Sequence, residues 1–239
     1  MVFKRVPLII DIKKSEFAYV VGVFLGDGSI RLPKGEMRLN VKDKEFATKF
    51  KDSVEICCNI RGRFIERSDD RINKRVTKYQ VNFNSINLAK FIQNYKDKKQ
   101  YINDFNIKEQ QIEFLRGMYD SEGNIFYNEK KWHHCQIRIV STNKELLQYI
   151  YNLLNGLGFD LRNTSLVISV KKGASMYNEF TDKTYYLNND TWRINLSSRE
   201  NVIKFKEIIG FIINKKQQIL NEVYKNIGGN KNEKMCITV

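Results

Sequence analysis

The chain contains 239 residues, of which 42% are hydrophobic, and its 41 Lys and Arg against 27 Asp and Glu give a net charge of +14. A chain of this size can bury the core of one large domain or of two small ones, and its basic charge favours a polyanionic partner. It has no run of 18 apolar residues and no signal-peptide or transit-peptide pattern, so a membrane-spanning helix and secretion are not expected.

The hydrophobic pattern of the first half predicts the order helix, hairpin, helix, hairpin, helix. The first helix is apolar and ends at Asp27-Gly28, after which the pattern changes to a period of two. Asp43 is the predicted N-cap of the second helix, and the third helix begins at Ser85. In chain order, these elements are predicted at residues 15–28, 29–42, 44–58, 61–83 and 85–95.

The second half repeats this order, which indicates an internal duplication. Residues 38–45 of the first half, for example, are echoed by residues 138–145 of the second. A longer hairpin loop is expected at 171–190, with Tyr177, Tyr185 and Tyr186 on it. The predicted division is a first half at 1–97, a linker at 98–106, a second half at 107–225 and a flexible tail at 226–239.

The predicted fold class is α+β, with two pseudo-symmetric αββαββα halves that each contain an antiparallel four-stranded, saddle-shaped sheet. Ala18, Gly22 and Gly26 lie one turn apart on one face of the first helix. Gly117 and Ser121 do the same on the equivalent helix of the second half. Because small residues permit a close backbone approach, we expect these two helices to pack in parallel and to join the halves.

Each predicted sheet has one apolar face and one face of basic and amide side chains. In one strand, Arg38 and Asn40 alternate with Met37 and Leu39. A polar antiparallel ribbon fits the major groove, which makes double-stranded DNA the expected partner. Each such residue alone is equally compatible with an ordinary solvated strand. The candidate DNA-binding residues are Arg31, Arg38, Asn40, Lys42, Arg63, Arg67, Lys78, Gln80, Asn82, Gln136, Arg138, Arg193 and Asn195.

A short motif at the end of the first helix occurs twice. Gly22, Asp27 and Gly28 recur as Gly117, Glu122 and Gly123, with a constant offset of 95 residues. The negative end of a helix dipole disfavours a carboxylate by about 0.3–1 kcal/mol. Parallel packing would bring the two acids together, where a hard cation such as Mg²⁺ would relieve their repulsion and assist attack on a phosphodiester. The alternative, a core helix with a glycine C-cap, explains the glycine but not the acid.

The segments at 20–30 and 115–125 resemble the LAGLIDADG motif of homing endonucleases, in the single-chain, monomeric form that carries two copies. The resemblance spans about residues 15–225. It implies a Mg²⁺-dependent endonuclease that cuts both strands of a long, asymmetric DNA site and leaves 3′ overhangs without a protein partner. Mn²⁺ is expected to substitute, and Ca²⁺ to bind without efficient cleavage. Carried over by position, the metal-site residues are Asp27 and Glu122, with Gly26 and Ser121 beside them.

The resemblance also implies polar and basic residues that orient the attacking water or stabilise the developing phosphorane charge. By position, they fall at the end of the second strand and after the third helix of each half. The chain departs from the family pattern at Asp43, where an amide is more usual, and at Asp120, where the first motif has Leu25. The candidate catalytic lysines are Lys44, Lys98 and Lys215, with Lys99 and Lys216 as alternatives to the last two.

Two other classes of protein are considered beside an endonuclease. A non-cleaving protein of the same fold, such as an intron maturase or a transcriptional regulator, would have no need to retain both acids. A structural repeat domain that binds an acidic protein would explain neither the acids nor the alternating strands. The duplicated acid therefore favours the nuclease.

The cysteine and histidine content excludes several other metal sites. Cys57, Cys58, Cys135 and Cys236 include no CxxC spacing, so reduced thiols of an intracellular protein are expected. His133 and His134, placed in a predicted hairpin turn, are too few for an HNH-type nuclease. The Lys-rich and Asn-rich composition fits an archaeal cytoplasm or an organelle such as a mitochondrion or chloroplast.

Overall fold

A computed structural model describes residues 7–69, 76–128, 135–161, 166–178 and 182–232. The chain divides into two units: Met1–Ser121 with Phe211–Gln217 forms the first, and Glu122–Gly210 with Gln218–Val239 forms the second. None of the helices in the described ranges combines the length and the hydrophobicity that crossing a bilayer requires.

The first unit contains an antiparallel four-stranded sheet in the order β1-β2-β4-β3, with helices against one face. Met37 pairs with Phe83 and Leu39 with Val81 on its buried face. The helices and strands are α1 (Ser15–Leu25), β1 (Ser29–Arg31), β2 (Glu36–Val41), α2 (Lys44–Cys57), β3 (Arg63–Asp69), β4 (Val76–Asn84), α3 (Ile86–Asp97), α4 (Tyr101–Asp104) and α5 (Lys108–Ser121).

The second unit contains a matching sheet in the order β5-β6-β10-β7. Ile137 and Ile139 of β6 face Leu196 and Ile194 of β10 in its core. This architecture confirms the predicted fold class. The helices and strands are β5 (Gly123–Phe126), β6 (Gln136–Ser141), α6 (Lys144–Gly156), β7 (Val167–Val170), β8 (Ser175–Asn178), β9 (Lys183–Tyr186), β10 (Thr191–Leu196), α7 (Arg199–Ile208) and α8 (Asn214–Asn232), and the first residues of α8 belong to the first unit.

The packing of α1 on α5 follows from two glycines. A carbon built as Cβ on Gly22 would lie 2.5 Å from the Phe114 carbonyl oxygen, and one on Gly117 would lie 2.5 Å from the Tyr19 carbonyl oxygen. The Gln110 side chain, near the start of α5, donates to the carbonyl of Lys13, just before α1 (3.0 Å). The two helices therefore run parallel and back to back, as predicted.

Local capping fixes where the helices begin. The Asp43 carboxylate accepts a hydrogen bond from the Phe46 amide (2.8 Å), so the predicted N-cap of α2 is confirmed. Ser85 caps α3 in the same way through the Leu88 amide (3.3 Å). The Asp43 cap places the start of α2 directly after β2, beside the ends of the motif helices.

Three segments contain regular structure that the sequence did not predict. The linker at 98–106 contains α4 and buries Tyr101 and Phe105, so it is part of the core. The first part of the segment expected as a flexible tail, 226–239, lies in α8, which continues to Asn232 and buries Ile227. The expected loop at 171–190 contains the two-stranded β8-β9 sheet. His133 and His134 lie outside the described residues.

Candidate active site at the ends of the motif helices

A pocket of about 520 Å³ opens at the C-terminal ends of α1 and α5, within the first unit. The end of β2, the start of α2 and the segment around the start of α8 complete its walls. Three carboxylates and three ammonium groups line it, together with amide and hydroxyl oxygens. The lining residues are Asp27, Asn40, Val41, Lys42, Asp43, Phe46, Asp120, Ser121, Ile213, Lys215 and Lys216.

Asp27 presents an open carboxylate to this pocket. Gly26 and Gly28 both donate backbone hydrogen bonds to the Val23 carbonyl (3.2 and 3.0 Å), which closes the helix on either side of Asp27. Asp27 is exposed, and within the described part of the chain its carboxylate accepts no hydrogen bond. Partial desolvation raises its pKa above the ordinary value, while the positive charge of Lys216 acts to lower it.

Asp120 lines the same pocket, but its side chain is buried, with 1% exposure. It accepts hydrogen bonds from the Tyr19 hydroxyl (3.0 Å) and from the Ile212 backbone amide (2.9 Å). Burial raises its pKa to about 6, against the opposite effect of these two donors and of Lys216. Asp120 therefore ties α5 to α1 and to the segment before α8.

Lys216, near the start of α8, is hydrogen-bonded to the end of α5. Its Nζ donates to the carbonyl oxygens of Asp120 (2.7 Å) and Tyr119 (3.1 Å), which lie in the last turn of that helix. A cation at this position also complements the negative end of the helix dipole. Lys215 is exposed and lines the pocket beside it. Sequence position alone did not separate these two lysines.

Asp43 also lines the pocket and differs from the amide expected by resemblance. Besides the Phe46 amide, its carboxylate accepts a backbone hydrogen bond from Asn214, at the start of α8. Burial raises its pKa, and these donors and Lys216 act in the opposite direction. The carboxylate is therefore occupied as a cap that connects α2 to α8.

Of the remaining predicted catalytic and metal-site residues, some line the pocket and others do not. Ser121 lines the pocket, and its hydroxyl donates to the Gly117 carbonyl (2.9 Å). Lys44 and Lys98 are exposed at the start of α2 and the end of α3, and neither is among the lining residues. Glu122 follows Ser121 directly, is exposed and belongs to the second unit, so its pairing with Asp27 remains a prediction.

The donors of the pocket fit a hard cation better than a soft one. The lining atoms that can act as ligands are carboxylate, amide and hydroxyl oxygens, and no Cys or His is among them. Across the described ranges, no group of three or more Asp, Glu, His or Cys side chains forms a metal cluster. Mg²⁺ bound through one or two carboxylates and water would need no such cluster.

The sheet faces carry most of the predicted DNA-binding residues in accessible positions. Gln80 is the exception, because it is 3% exposed and donates to Asn82 (2.8 Å), and its contact with DNA stays a prediction. The exposed candidates are Arg31, Asn40, Lys42, Arg63 and Arg67, and the half-buried ones are Arg38, Lys78, Asn82, Gln136, Arg138, Arg193 and Asn195.

Known proteins resemble the chain in both halves. The family of LAGLIDADG-like domains matches residues 109–210, and the family of WhiA LAGLIDADG-like domains matches residues 16–73. The uncharacterised protein MJ0398 of Methanocaldococcus jannaschii is 27% identical over 225 residues, which cover 91% of this chain and 75% of that protein.

Two solved structures share the fold. The homing endonuclease I-DmoI, in complex with DNA and Ca, aligns with a TM-score of 0.55 and 20% identity over 87% of this chain and 97% of its own. The N-terminal LAGLIDADG domain of DUF199/WhiA aligns with a TM-score of 0.50 and 14% identity over 82% of each chain. A LAGLIDADG-like match in each half and the shared fold thus identify the chain as a member of the LAGLIDADG family.

Proposed function

We propose that the chain is a site-specific, Mg²⁺-dependent DNA endonuclease that acts as a monomer and hydrolyses both strands of a long, asymmetric site. The observation that carries the proposal is Asp27, an open carboxylate at the end of a motif helix that makes no hydrogen bond within the described ranges. An acid that only stabilised the fold would be bonded as Asp120 and Asp43 are. Asp27 is therefore available to hold a cation against a phosphodiester.

Binding to DNA is supported by charge and by a structural relative. Rows of basic and amide side chains cross the polar face of each sheet, and the chain carries a net charge of +14. I-DmoI structures contain DNA with Mn or Ca. A polar ribbon of this kind fits the major groove, with phosphate contacts that position the duplex and base contacts that select the sequence.

The pocket residues divide the catalytic work. Asp27 and Glu122 would hold the metal, which when bound supplies Lewis-acid stabilisation of the phosphoryl oxygens. Lys216 favours the ionised form of Asp27 and anchors the end of α5. Two lysines can stabilise the negative charge that develops on the phosphate: Lys215, exposed at the pocket wall, and Lys42, at the end of β2.

A second candidate is a non-cleaving DNA-binding protein on the same scaffold. The family match of residues 16–73 to WhiA-type domains favours it, because this segment includes the first motif. The two candidates differ in the use of Asp27, since a regulator needs no open carboxylate at that point.

A randomised duplex library tests the proposal directly. Incubation with Mg²⁺ followed by sequencing of the cut ends should recover one asymmetric site with 3′ overhangs, and Ca²⁺ should permit binding with little cutting. Binding with no cleavage in Mg²⁺ or Mn²⁺ would establish the regulator instead. If the library neither binds nor is cut, both candidates fail.

A further inference from the structure

The two sheets contain one equivalent cluster each, and the two clusters differ in the groups that hold their arginine. Arg38 of β2 lies opposite Asn82, as Arg138 of β6 lies opposite Asn195. Two positions earlier on the same face, the first sheet has Glu36 and the second has Gln136. An acid in one cluster is thus replaced by its neutral amide in the other.

In the first sheet, the arginine is bonded to an acid that also pairs with a second arginine. Arg38 Nη2 donates to Glu36 Oε1 (2.7 Å), and Arg31 Nη1 lies 3.8 Å from Glu36 Oε2. The Glu36 side chain is only 12% exposed, so solvent screens this ion pair incompletely. A base that approached Arg38 would have to compete with a carboxylate already bonded to it.

In the second sheet, the arginine is held by neutral groups. Arg138 Nε donates to the Asn195 side-chain oxygen and its Nη2 to the Gln136 side-chain oxygen, each at 3.0 Å. Its guanidinium carbon lies 4.9 Å from the centre of the Phe126 ring. These contacts fix the side chain without cancelling its charge, and its other three N–H groups make no hydrogen bond within the described residues.

We propose that Arg138 reads a guanine in the major groove through a bidentate contact, whereas Arg38 contributes little to base selection. Guanine offers two acceptors, O6 and N7, at the spacing of a guanidinium fork. An arginine held in place before binding loses less side-chain freedom when that contact forms. This inference rests on the proposed binding of DNA.

Selection of bound sequences from the randomised duplex library, in Ca²⁺ without Mg²⁺, tests the inference without requiring cleavage. The wild type should retain guanine at one position that Arg138→Lys no longer selects, with a loss of preference of about tenfold or more. Lysine keeps the charge but not the fork, so a phosphate contact would survive this change. Arg38→Lys is the matched control and should leave every base preference unchanged.

Exchange of the neighbouring acid and amide provides an independent readout. Gln136→Glu should weaken the same guanine preference, and Glu36→Gln should create a new one in the first half of the site. The inference is overturned if Arg138→Lys selects the same sequences as the wild type, or if Arg38→Lys loses as much preference as Arg138→Lys. If the wild type binds DNA and every variant keeps the wild-type base preferences, this inference alone fails. If the wild type binds no duplex, the proposed function fails as well.

Discussion

The ends of the two motif helices place the same residue type in one pocket with opposite surroundings. Asp27, beyond α1, is exposed and accepts no hydrogen bond within the described ranges. Asp120, in the last turn of α5, is buried and is bonded to Tyr19 and to the Ile212 amide. An acid near a helix end can therefore serve as a ligand for an external group or as an internal connection between elements. Variants of the two acids should therefore separate activity from stability.

The largest effect is expected from Asp27→Asn. Loss of a carboxylate that holds the metal removes several kcal/mol of charge stabilisation, so cleavage should fall by about a thousandfold or more. Thermal unfolding should change little, because no hydrogen bond within the described ranges depends on this side chain. Single-turnover cleavage and a melting curve measure the two quantities. Asp52→Asn, which alters an exposed acid of α2, is the matched control. Full cleavage by Asp27→Asn would remove Asp27 from the mechanism.

Asp120→Ala should show the reverse pattern. It leaves the Tyr19 hydroxyl and the Ile212 amide without their acceptor, and each buried, unsatisfied group costs about 1–3 kcal/mol. A loss of roughly 2–6 kcal/mol in the free energy of unfolding is expected from chemical denaturation. Asp27→Ala serves as the control in the same assay. Equal stability of the two variants would contradict the division of roles between the two acids.

The sequence predicted the parts of this site that depend on local pattern. The helix ends, the Asp43 cap and the packing through Gly22 and Gly117 follow from spacing and residue size. The role of Asp120 does not, because its partners lie 101 and 92 residues away along the chain. A contact of that kind requires the three-dimensional arrangement, and the choice between Lys215 and Lys216 required it for the same reason.

The pH dependence of stability sharpens the same contrast. The pKa of Asp120 is raised from 3.8 to about 6, so between these values the folded state retains a proton that the unfolded state releases. Stability contributed by this group therefore falls as pH rises from about 4 to 6, by about 3 kcal/mol at most. Asp120→Asn removes the titration, so its stability relative to the wild type should improve over that range. Chemical denaturation at several pH values measures the difference in free energy of unfolding between the variant and the wild type. A difference that did not change with pH would contradict the raised pKa of Asp120.

The smallest effect is expected from Lys216→Met. The Lys216 charge lowers the pKa of Asp27, so its removal should shift the acidic limb of the cleavage profile to higher pH. It also removes a cation from the end of α5, which is worth about 0.3–1 kcal/mol of stability. Lys225→Met, at an exposed position of α8, loses the same charge away from the pocket. A pH profile that moved equally in both variants would assign the shift to net charge, whereas a shift in Lys216→Met alone would assign it to the pocket.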